Sequence, residues 1–302
     1  MTDDDRTDWE YMAQALEGTG DYRIIRRFHP AERYAEPDGQ ALATAIILDT
    51  ETTGIDARKD EIIELGMLLF EYAPATGRVY RIIDTFDQLR DPGCPIPPEI
   101  THMTHITDEM VRGRSIDAAA VDAFVTRGTF VIAHNASFDR PFVERQWKVF
   151  ERKPWACSMS QVHWYDEGIA TQKQELIALC LGFFYDAHRA GNDCRALLHI
   201  LAAPLPVSGR PALKPLLDHA AQDDAIIWAI GAPFERKDIL RMRGYRFNNG
   251  VNGNPRAWCR TVAADELEQE LSFLDGIYEG GDARTKVRVD KMSPLDRFSG
   301  RA

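Results

Sequence analysis

The sequence predicts an α/β fold with helices on both faces of a central sheet. Short apolar segments bounded by turn residues, which are typical of strands, occur at 43–50, 61–72 and 128–135. Helical patterns separate and follow these segments, and this order of elements is typical of layered α/β folds. The length of 302 residues allows one sizeable core and a smaller module.

The chain divides into three parts by composition and pattern. Residues 1–40 form an N-terminal extension with a short helix, a basic stretch and the loop "EPDGQ". The α/β domain follows over 41–205. The segment "PLPVSGRP" at 204–211 is interpreted as a linker, and residues 212–302 form a small α+β module.

The α/β domain begins with three predicted strands. The strand at 43–50 ends in the turn "TTGID", and the second strand covers 61–72. The third is "RVYRIIDTFDQL" at 78–89, and the "TG" turn signal before it predicts a hairpin with the second strand. The proline-rich "PGCPIPPEI" that follows must be irregular.

Helices fill most of the remaining α/β domain, and Ser137 is a candidate N-cap for one of them. Between them, "GTFVIAHN" predicts a short buried strand. The predicted helices cover 97–103, 107–112, 117–127, 137–150, 173–181 and 190–202.

Composition narrows the class of protein. The net charge of −11 predicts solubility and argues against non-specific coating of nucleic acid. The five cysteines form no CxxC pair, which argues against a disulfide framework and against a zinc site. The apolar stretches fall short of the roughly 18 residues of a membrane span, and the N-terminus is acidic with no signal-peptide pattern. We therefore predict a cytoplasmic protein with no membrane contact.

Two acids follow the first strand with one residue between them. Because strand side chains alternate, Asp49 and Glu51 point to the same side at the strand's C-terminal end, where ligand sites of open α/β sheets lie. Two adjacent carboxylates repel, and a hard divalent cation such as Mg²⁺ removes the conflict. The alternative is that Glu51 points to solvent from a turn.

Two later segments also combine polar turns with acids at helix starts. In "IAHNASFDRPF", Asp139 falls in the first turn of a helix, after His134 and Asn135. In "DAHRAGNDCRALLHIL", His188 precedes Asp193 by five residues. Taken singly, each has an ordinary explanation: an acid favoured by the helix dipole, turn residues, or a capped helix beside a surface histidine.

Taken together, the acids follow one order: DxE, about 90 residues, D, about 50 residues, and HxxxxD. This order resembles the DEDDh exonucleases, a family of the ribonuclease H-like superfamily that contains the proofreading subunit of bacterial replicative polymerases. The segments "PGCPIPPEITHMTHITDEMV" and "ELIALCLGFFYDAHRAGND" are similar to the family's proline-rich loop and its last helix–loop–helix. The resemblance covers about 42–203. One departure is His105, where the family usually has a glycine before "IT".

The resemblance implies a two-metal phosphodiester hydrolase. Asp49 would bridge two Mg²⁺ ions, for which Mn²⁺ is a usual substitute. Glu51 and Asp193 would hold the ion that carries the attacking water, and Asp139 would support the second ion. His188 would be the general base. A sister subfamily has a tyrosine four residues before the last acid, and Arg189 at that position favours the histidine type.

The resemblance also implies where the substrate binds. The turn after the DxE, formed by Thr52, Thr53, Gly54 and Ile55, would meet the 3′ end, with an apolar side chain under the last base. His134 and Asn135 are predicted to line the same cleft. The enzyme would then remove nucleotides from the 3′ end and release 5′-monophosphates.

Aromatic residues outside this turn have two interpretations. Trp155, Trp164 and Tyr165 could stack on bases, but core packing is the commoner use of such residues and is favoured.

The C-terminal module contains a basic segment at 234–262. It predicts a short helix, a strand, an Asn/Gly turn and another strand, followed by a helix at 264–278 and a basic tail. Seven basic residues stand against two acids, with four aromatic residues interleaved. The segment is similar to small helix–hairpin modules appended to nucleases, so we expect contact with nucleic acid. A solvated basic face over a small aromatic core is the alternative.

The resemblance leaves several functional questions open. The substrate could be DNA or RNA with a free 3′ end, so an RNA-trimming enzyme is one alternative. A non-catalytic nucleic-acid-binding protein on the same fold is another, although all four acids and His188 are present. A DNA polymerase or repair partner and a homodimer are compatible with the sequence, which fixes neither.

Overall fold

The structure is a computed structural model that describes residues 3–251, 253–278 and 280–300. The strands are β1 (Arg26–Arg27), β2 (Ala43–Thr52), β3 (Ile62–Ala73), β4 (Arg78–Leu89), β5 (Val131–Ala133), β6 (Trp155–Cys157), β7 (Phe183–Phe184), β8 (Asp224–Ala229), β9 (Arg246–Asn248), β10 (Ala257–Ala263) and β11 (Val287–Met292). The α-helices are α1 (Asp3–Glu17), α2 (Pro98–Thr104), α3 (Asp108–Val111), α4 (Ala118–Val125), α5 (Ala136–Gln146), α6 (Ser158–Gln161), α7 (Gln174–Cys180), α8 (Ala190–Ala202), α9 (Leu213–Ala220), α10 (Lys237–Met242) and α11 (Leu267–Asp275). Short 3₁₀ segments lie at Lys148–Arg152, Trp164–Glu167, Phe234–Arg236, Ala264–Glu266 and Ala283–Thr285.

The central sheet has five strands in the order β4-β3-β2-β5-β6. The β2–β3 and β3–β4 pairs are antiparallel, whereas β2–β5 and β5–β6 are parallel. The sheet is therefore mixed, and the predicted hairpin of the second and third strands of the domain is confirmed. Because β2 and β5 run parallel side by side, the segments that follow them leave the sheet at the same edge.

The two faces of the sheet pack against different helices. On one face, Ala45 and Ile47 of β2 belong to a core cluster with residues of α7, α8 and α9. On the other face, Ile46 and Leu48 pack with residues of α4 and α5. This alternation along β2 follows from the strand period of two and confirms the prediction of helices on both faces.

The start of α5 differs from its prediction. The N-cap is Asn135 in the left-handed region (φ 72°, ψ 52°), and Ser137 Oγ donates to Asn135 Oδ1 at 2.9 Å. The prediction of Ser137 as N-cap is therefore wrong, because the helix already begins at Ala136. The helix ends at Gln146 and the chain continues into a 3₁₀ segment, so the predicted range 137–150 merges two elements.

The tryptophans of the α/β domain lie in its interior. Trp155 and Trp164 are buried, and Trp164 Nε1 donates to Ser158 O at 2.8 Å. The core interpretation is confirmed for these two residues, whereas Tyr165 is exposed.

The C-terminal module contains an antiparallel sheet in the order β11-β8-β10-β9. One face carries a core that includes Ala225, Ile227 and Val262 of the sheet, Leu240 of α10 and Leu274 of α11. The predicted helix, strand, turn and strand are all present. The sequence analysis did not predict β8 or β11, and β11 shows that the basic tail packs back onto the module.

The predicted linker is followed by a helix that belongs to the α/β core. Leu213 and Leu216 of α9 are fully buried in the cluster that also holds Ala45 and Ile47. We therefore propose that the boundary between domain and module falls after α9, near 221–223, rather than at 204–211.

The N-terminal extension contacts the α/β domain through β1, which pairs in parallel with β7. Arg26 of β1 also forms ion pairs with Glu10 and Glu17. Within the described ranges, no helix is both long and apolar enough to cross a membrane.

Candidate active site

Three of the predicted acids meet at the C-terminal end of β2. One carboxylate oxygen from each of Asp49, Glu51 and Asp193 lies within 4.8 Å of the others. β2 supplies the first two and the first turns of α8 supply the third. A β-bulge interrupts the β2–β3 ladder between Glu51 and Thr52, at the point where the strand must aim its acids.

Asp139 approaches the same strand end from the opposite helix layer. It is buried in the first turn of α5. Its Oδ1 accepts hydrogen bonds from Thr50 N at 3.1 Å and Thr50 Oγ1 at 2.8 Å. Thr50, which lies between Asp49 and Glu51, thus fixes the fourth acid beside the other three.

Burial raises the pKa of all four acids and is the largest cause in each case, and repulsion from neighbouring carboxylates adds to it for Asp49, Glu51 and Asp139. The pKa of Asp49 rises well above its usual range, first by burial and then by the charges of the three neighbouring acids and Glu64. The pKa of Glu51 rises to about 8, that of Asp139 to about 7 and that of Asp193 to about 6. Without a cation, several of these acids therefore keep their protons near neutral pH, because the surrounding side chains do not neutralise four carboxylates.

The side chain of Asp193 is held by three donors. Its Oδ1 accepts from Tyr185 Oη at 2.8 Å and from Gln174 Nε2 at 3.3 Å. Its Oδ2 accepts from the backbone N–H of Arg189 at 3.1 Å. The bonds from Tyr185 and Arg189 lower the pKa of Asp193 against the effect of burial, and all three bonds hold the carboxylate in place.

Gly66 of β3 allows α8 to reach the cluster. It is the cross-strand partner of Asp49, and a Cβ built on it would lie 2.5 Å from the carbonyl carbon of Ala190. That distance is far inside van der Waals contact, so any side chain at this position would displace the N-terminus of α8 or the strand. Glycine is required here for close approach of two backbones.

His188 lies on the loop immediately before α8. Its backbone is left-handed (φ 64°), and its side chain is about half exposed. The Nε2 atom is 3.5 Å from Glu175 Oε1. The imidazole is thus accessible from solvent, five residues before Asp193.

Arg189 joins the His188 loop to the sheet. Its guanidinium donates to both oxygens of Glu64, with Nη2 2.6 Å from Oε1 and Nε 3.1 Å from Oε2. Glu64 is fully buried in β3 opposite Glu51, and it also accepts from the N–H of Ala190 at 2.9 Å. This charge-assisted pair connects the central sheet directly to the residue after His188.

The turn after the acids is tightly built. Thr52 and Thr53 are buried, and Thr52 Oγ1 donates to Gly54 O at 2.5 Å. A Cβ on Gly54 would meet the carboxylate of Asp60 at 2.5 Å. Ile55, by contrast, has 88% of its surface exposed, so the turn presents one apolar side chain to solvent.

His134 and Asn135 lie between β5 and α5. The ring nitrogens of His134 are 2.8 Å from Ser158 Oγ and 2.7 Å from Gln172 O. Burial lowers the pKa of His134 to about 4, so the ring is neutral at pH 7. Asn135 forms the left-handed start of α5. Their contact with a substrate stays a prediction.

The donor set suits hard divalent cations. Carboxylate oxygens are the ligands that Mg²⁺ and Mn²⁺ prefer, and the raised pKa values mark charge that a cation would neutralise. Asp49, Glu51 and Asp193 are close enough to share one ion.

With this geometry established, comparison with known proteins identifies the class. Residues 46–201, more than half of the chain, match the RNase_T exonuclease family. The chain belongs to this family, and the resemblance to exonucleases seen in the sequence is confirmed.

Two relatives illustrate the similarity. The DNA polymerase III subunit epsilon of Treponema pallidum (strain Nichols) is 31% identical over 161 residues, which cover 50% of this chain and 72% of that protein. The PolC-type DNA polymerase III of Lacticaseibacillus paracasei is 33% identical over 116 residues, which cover 38% of this chain but only 8% of that protein. This chain thus corresponds to a small part of the PolC-type relative.

Two solved structures are also similar. Exonuclease X in complex with 5′ overhanging duplex DNA has 24% identity and a TM-score of 0.41, covering 58% of this chain and 98% of that one. E. coli Exonuclease I in complex with a 5cy-dT13 oligonucleotide has 15% identity and a TM-score of 0.47, covering 81% of this chain and 70% of that one.

Sequence reasoning missed the residues that support the acids. Glu64 could have been suspected, because it is a charged residue inside the apolar run "IIELGMLLF" and buried charges are rare unless they are paired. Tyr185, Gln174, Thr50 and Gly66 carried no comparable signal, since their roles depend on contacts between distant segments.

Proposed function

We propose that this protein is a metal-dependent 3′→5′ exonuclease that hydrolyses DNA and releases nucleoside 5′-monophosphates. The observation that carries the proposal is the convergence of Asp49, Glu51 and Asp193 within 4.8 Å, with Asp139 bonded to the same strand end. Family membership supports exonuclease chemistry, and the DNA polymerase III relatives support DNA as the substrate.

The four acids would hold two Mg²⁺ ions: Asp49, Glu51 and Asp193 are close enough to hold one, and Asp139 would contribute to holding the other. When bound, such a pair activates a water and stabilises the leaving oxygen of an in-line displacement. Thr50 and Tyr185 orient two of the carboxylates through the hydrogen bonds described above.

His188 is the proposed general base. Its imidazole nitrogen would accept the proton of the attacking water, and its side chain is about half exposed on the loop that leads to Asp193. Glu175, 3.5 Å from Nε2, stabilises the imidazolium that forms.

The turn of Thr52, Thr53, Gly54 and Ile55 is proposed to meet the 3′-terminal nucleotide, and His134 and Asn135 to line the same cleft. The exposed Ile55 supports this assignment, because an apolar side chain held in solvent by a rigid turn suits contact with a base. A substrate end held beside the acids makes the terminal phosphodiester the one that is cut, which gives the 3′→5′ direction.

Hydrolysis of end-labelled strands tests the proposal. Single-stranded DNA and RNA labelled at the 3′ or the 5′ end are incubated with Mg²⁺, Mn²⁺ or EDTA. We expect metal-dependent release of mononucleotides from the 3′ end of DNA, absent in Asp49→Ala. Faster cleavage of RNA would reassign the substrate, and cleavage of no strand in either metal would overturn the enzymatic proposal. A polymerase or repair partner, a homodimer and a cytoplasmic location stay predictions.

A further inference from the structure

Aromatic and cationic side chains form a continuous stripe on the C-terminal module. The ammonium of Lys237 lies over the ring of Phe234, 4.2 Å from its centroid, and the guanidinium of Arg241 lies over the ring of Trp258 at 5.5 Å. Lys237 and Arg241 are one turn apart and so lie on the same side of α10. The ring of Phe247 on β9 is 5.5 Å from that of Trp258. These five residues are called the cation–aromatic stripe.

The stripe runs from the start of α10 to an edge of the C-terminal sheet. Trp258 is the cross-strand partner of Phe247 on β9 and of Ala229 on β8. Because partners on neighbouring strands point to the same face, all three side chains lie on the face that carries the helices. β9 is the last strand on its side of the sheet. The stripe therefore ends where the helices no longer cover this face.

Two rings of the stripe are too exposed to serve as a core. Phe234 leaves 71% and Phe247 leaves 52% of its surface in solvent, whereas Leu240 and Tyr245 of the module core are buried. Single exposed apolar side chains are ordinary, but rings joined by contacts into one patch are typical of binding surfaces. The alternative of a solvated basic face over a small aromatic core thus fits Trp258, which is partly buried, and does not fit the two phenylalanines.

The stripe is positively charged in a protein whose net charge is −11. Lys237 forms no ion pair with any carboxylate that the structure describes. Arg241 pairs with Asp238 at 3.4 Å, but the two side chains are 62% and 72% exposed, and such pairs contribute little. Arg260, by contrast, is balanced by the buried Glu270. The cations of the stripe are therefore available to an anionic partner.

We propose that the cation–aromatic stripe binds single-stranded DNA, as a second contact outside the cleft of the four acids. Bases stack on the exposed rings of Phe234 and Phe247, and Lys237 and Arg241 lie beside the phosphates. Every base has a π face, so the stripe holds the strand without selecting its sequence. The choice of DNA rests on the exonuclease function proposed above, and the stripe adds a hold on the part of the strand that is not being cut.

Binding of DNA to the full chain made inactive by Asp49→Ala tests the stripe. Fluorescence anisotropy is recorded with a 5′-labelled oligothymidine of about 20 nucleotides, which is longer than a typical single-strand site. Phe234→Leu keeps an apolar side chain but removes the ring, and we expect it to weaken binding about tenfold. Phe234→Tyr keeps the ring and should bind like the parent. Because Phe234 is exposed, both variants should also keep the Tm of the parent.

Lys237→Gln tests the cation, with Lys291→Gln as the matched control. Lys291 lies on β11 at the opposite edge of the same sheet, and its replacement removes the same single charge. We expect Lys237→Gln to weaken binding about fivefold and Lys291→Gln to weaken it by less than about twofold. An equal loss in the two variants would mean that the module attracts DNA by its general charge, and would overturn the stripe.

The remaining outcomes also decide the question. Unchanged binding in Phe234→Leu would show that no base stacks on this ring, and an acidic protein segment would then be the better occupant. Equal losses in Phe234→Leu and Phe234→Tyr would likewise rule out stacking. If Phe234→Leu weakens binding but wild-type protein cuts no strand, the exonuclease proposal fails and the stripe stands. If wild-type protein cuts DNA and Phe234→Leu binds like the parent, the stripe fails and the exonuclease proposal stands.

Discussion

Arg189 is the residue whose contacts best explain how the loop that carries His188 is held. It follows His188 directly, donates its N–H to Asp193 and pairs through its side chain with the buried Glu64. One residue therefore links the proposed base, one proposed metal ligand and the central sheet. Because Glu64 is fully buried, its charge needs this partner.

We expect Arg189→Met to lower kcat about 10- to 100-fold with little change in KM, because the loop would lose its anchor while the substrate turn stays intact. Glu64→Gln should have a similar but smaller effect, since the amide can still accept from Ala190 N–H. Steady-state kinetics on a 3′-labelled strand measure both. Arg195→Met is the matched control, because Arg195 lies on α8, which Arg189 immediately precedes, and pairs with the exposed Glu32. A loss in the control equal to that in Arg189→Met would refute a positioning role.

His188→Ala should reduce kcat about a hundredfold or more, as loss of a general base does. Binding of a labelled strand should be unchanged, because the side chain is on an exposed loop. Single-turnover hydrolysis measures the rate, and His163→Ala, at another exposed histidine, is the control. Hydrolysis at the wild-type rate in His188→Ala would end its assignment as base.

At the scale of the element, β2, α5 and α8 share the electrostatic repulsion of the site, because each supplies at least one of its acids. Three acids of the cluster have pKa values of about 6, 7 and 8, well above the value near 4 of an unfolded carboxyl. Between pH 4 and 8 the folded protein therefore holds more protons than the unfolded chain. Stability from these groups is greatest at the low end of this window and is lost as pH rises through the folded pKa values.

The loss of stability with rising pH gives a prediction for metal removal. Without metal, the difference in Tm between wild type and Glu51→Gln should grow from pH 5 to pH 8, with the variant the more stable at pH 8. Added Mg²⁺ should raise the Tm of wild type more at pH 8 than at pH 5, since it binds the ionised acids. Differential scanning fluorimetry with EDTA or Mg²⁺ measures both effects. A Mg²⁺ response that Glu51→Gln fully retains would remove Glu51 from the metal site.

The end of α2 shows how an element tolerates a substitution that departs from the family. His105 has φ 58° at the C-cap, the left-handed region that a glycine adopts without strain. The chain thus makes the same left-handed turn at the end of α2, and the backbone strain of a positive φ is carried by His105. We expect His105→Gly to stabilise the protein by about 1 kcal/mol in urea unfolding. Asn135→Gly is not a suitable comparison because it lies at the site, so the exposed His102→Gly, inside the same helix, is the control and should destabilise by about 1 kcal/mol.

The longer elements of the α/β domain could be predicted because their patterns are local, whereas the short β6, β7 and α6 were not predicted. β2, β3 and β4 have period-two or apolar segments with turn residues between them, and α8 has an apolar face after its acid. The prediction of Ser137 as the N-cap of α5 is wrong, because the helix begins at Ala136 and its N-cap is Asn135 in the left-handed region, without a side-chain cap. β8, with the short sequence "DAIIWA", gave no strand signal that stood out from a buried helix segment.

The candidate site could be predicted for the same reason, but only in part. The four acids and His188 stand in recognisable sequence order, and β2 with α8 brings three of the acids together. The supporting pairs, such as Glu64 with Arg189, join segments about 125 residues apart, and no local pattern encodes their contact. The C-terminal sheet depends likewise on β11, which belongs to a tail that the sequence did not show to be folded.

At the scale of the whole molecule, the C-terminal tail fastens the two parts together. Arg140, which follows Asp139 on α5, is fully buried and donates to the carbonyl oxygens of Leu295 and Arg297. Arg297 in turn pairs with Asp224 at the start of β8. Phe298 packs against the core beside α5. The module is thereby attached to the helix that carries a proposed metal ligand.

Removing one partner of the Arg297–Asp224 pair should therefore destabilise the whole chain. Arg297→Met leaves the carboxylate of Asp224 buried without its guanidinium, which costs about 3–5 kcal/mol in the free energy of unfolding. Lys291→Met is the matched control on the same tail, because its pair with Asp223 is exposed and should contribute no more than about 1 kcal/mol. Adding Asp224→Asn to Arg297→Met should recover part of the loss by removing the unpaired charge. Urea unfolding followed by tryptophan fluorescence measures all three variants. Equal, small losses in Arg297→Met and Lys291→Met would mean that the Arg297–Asp224 pair does not hold the tail to the module. The attachment of the tail to α5 would then rest on the Arg140 bonds to its backbone carbonyls and on Phe298.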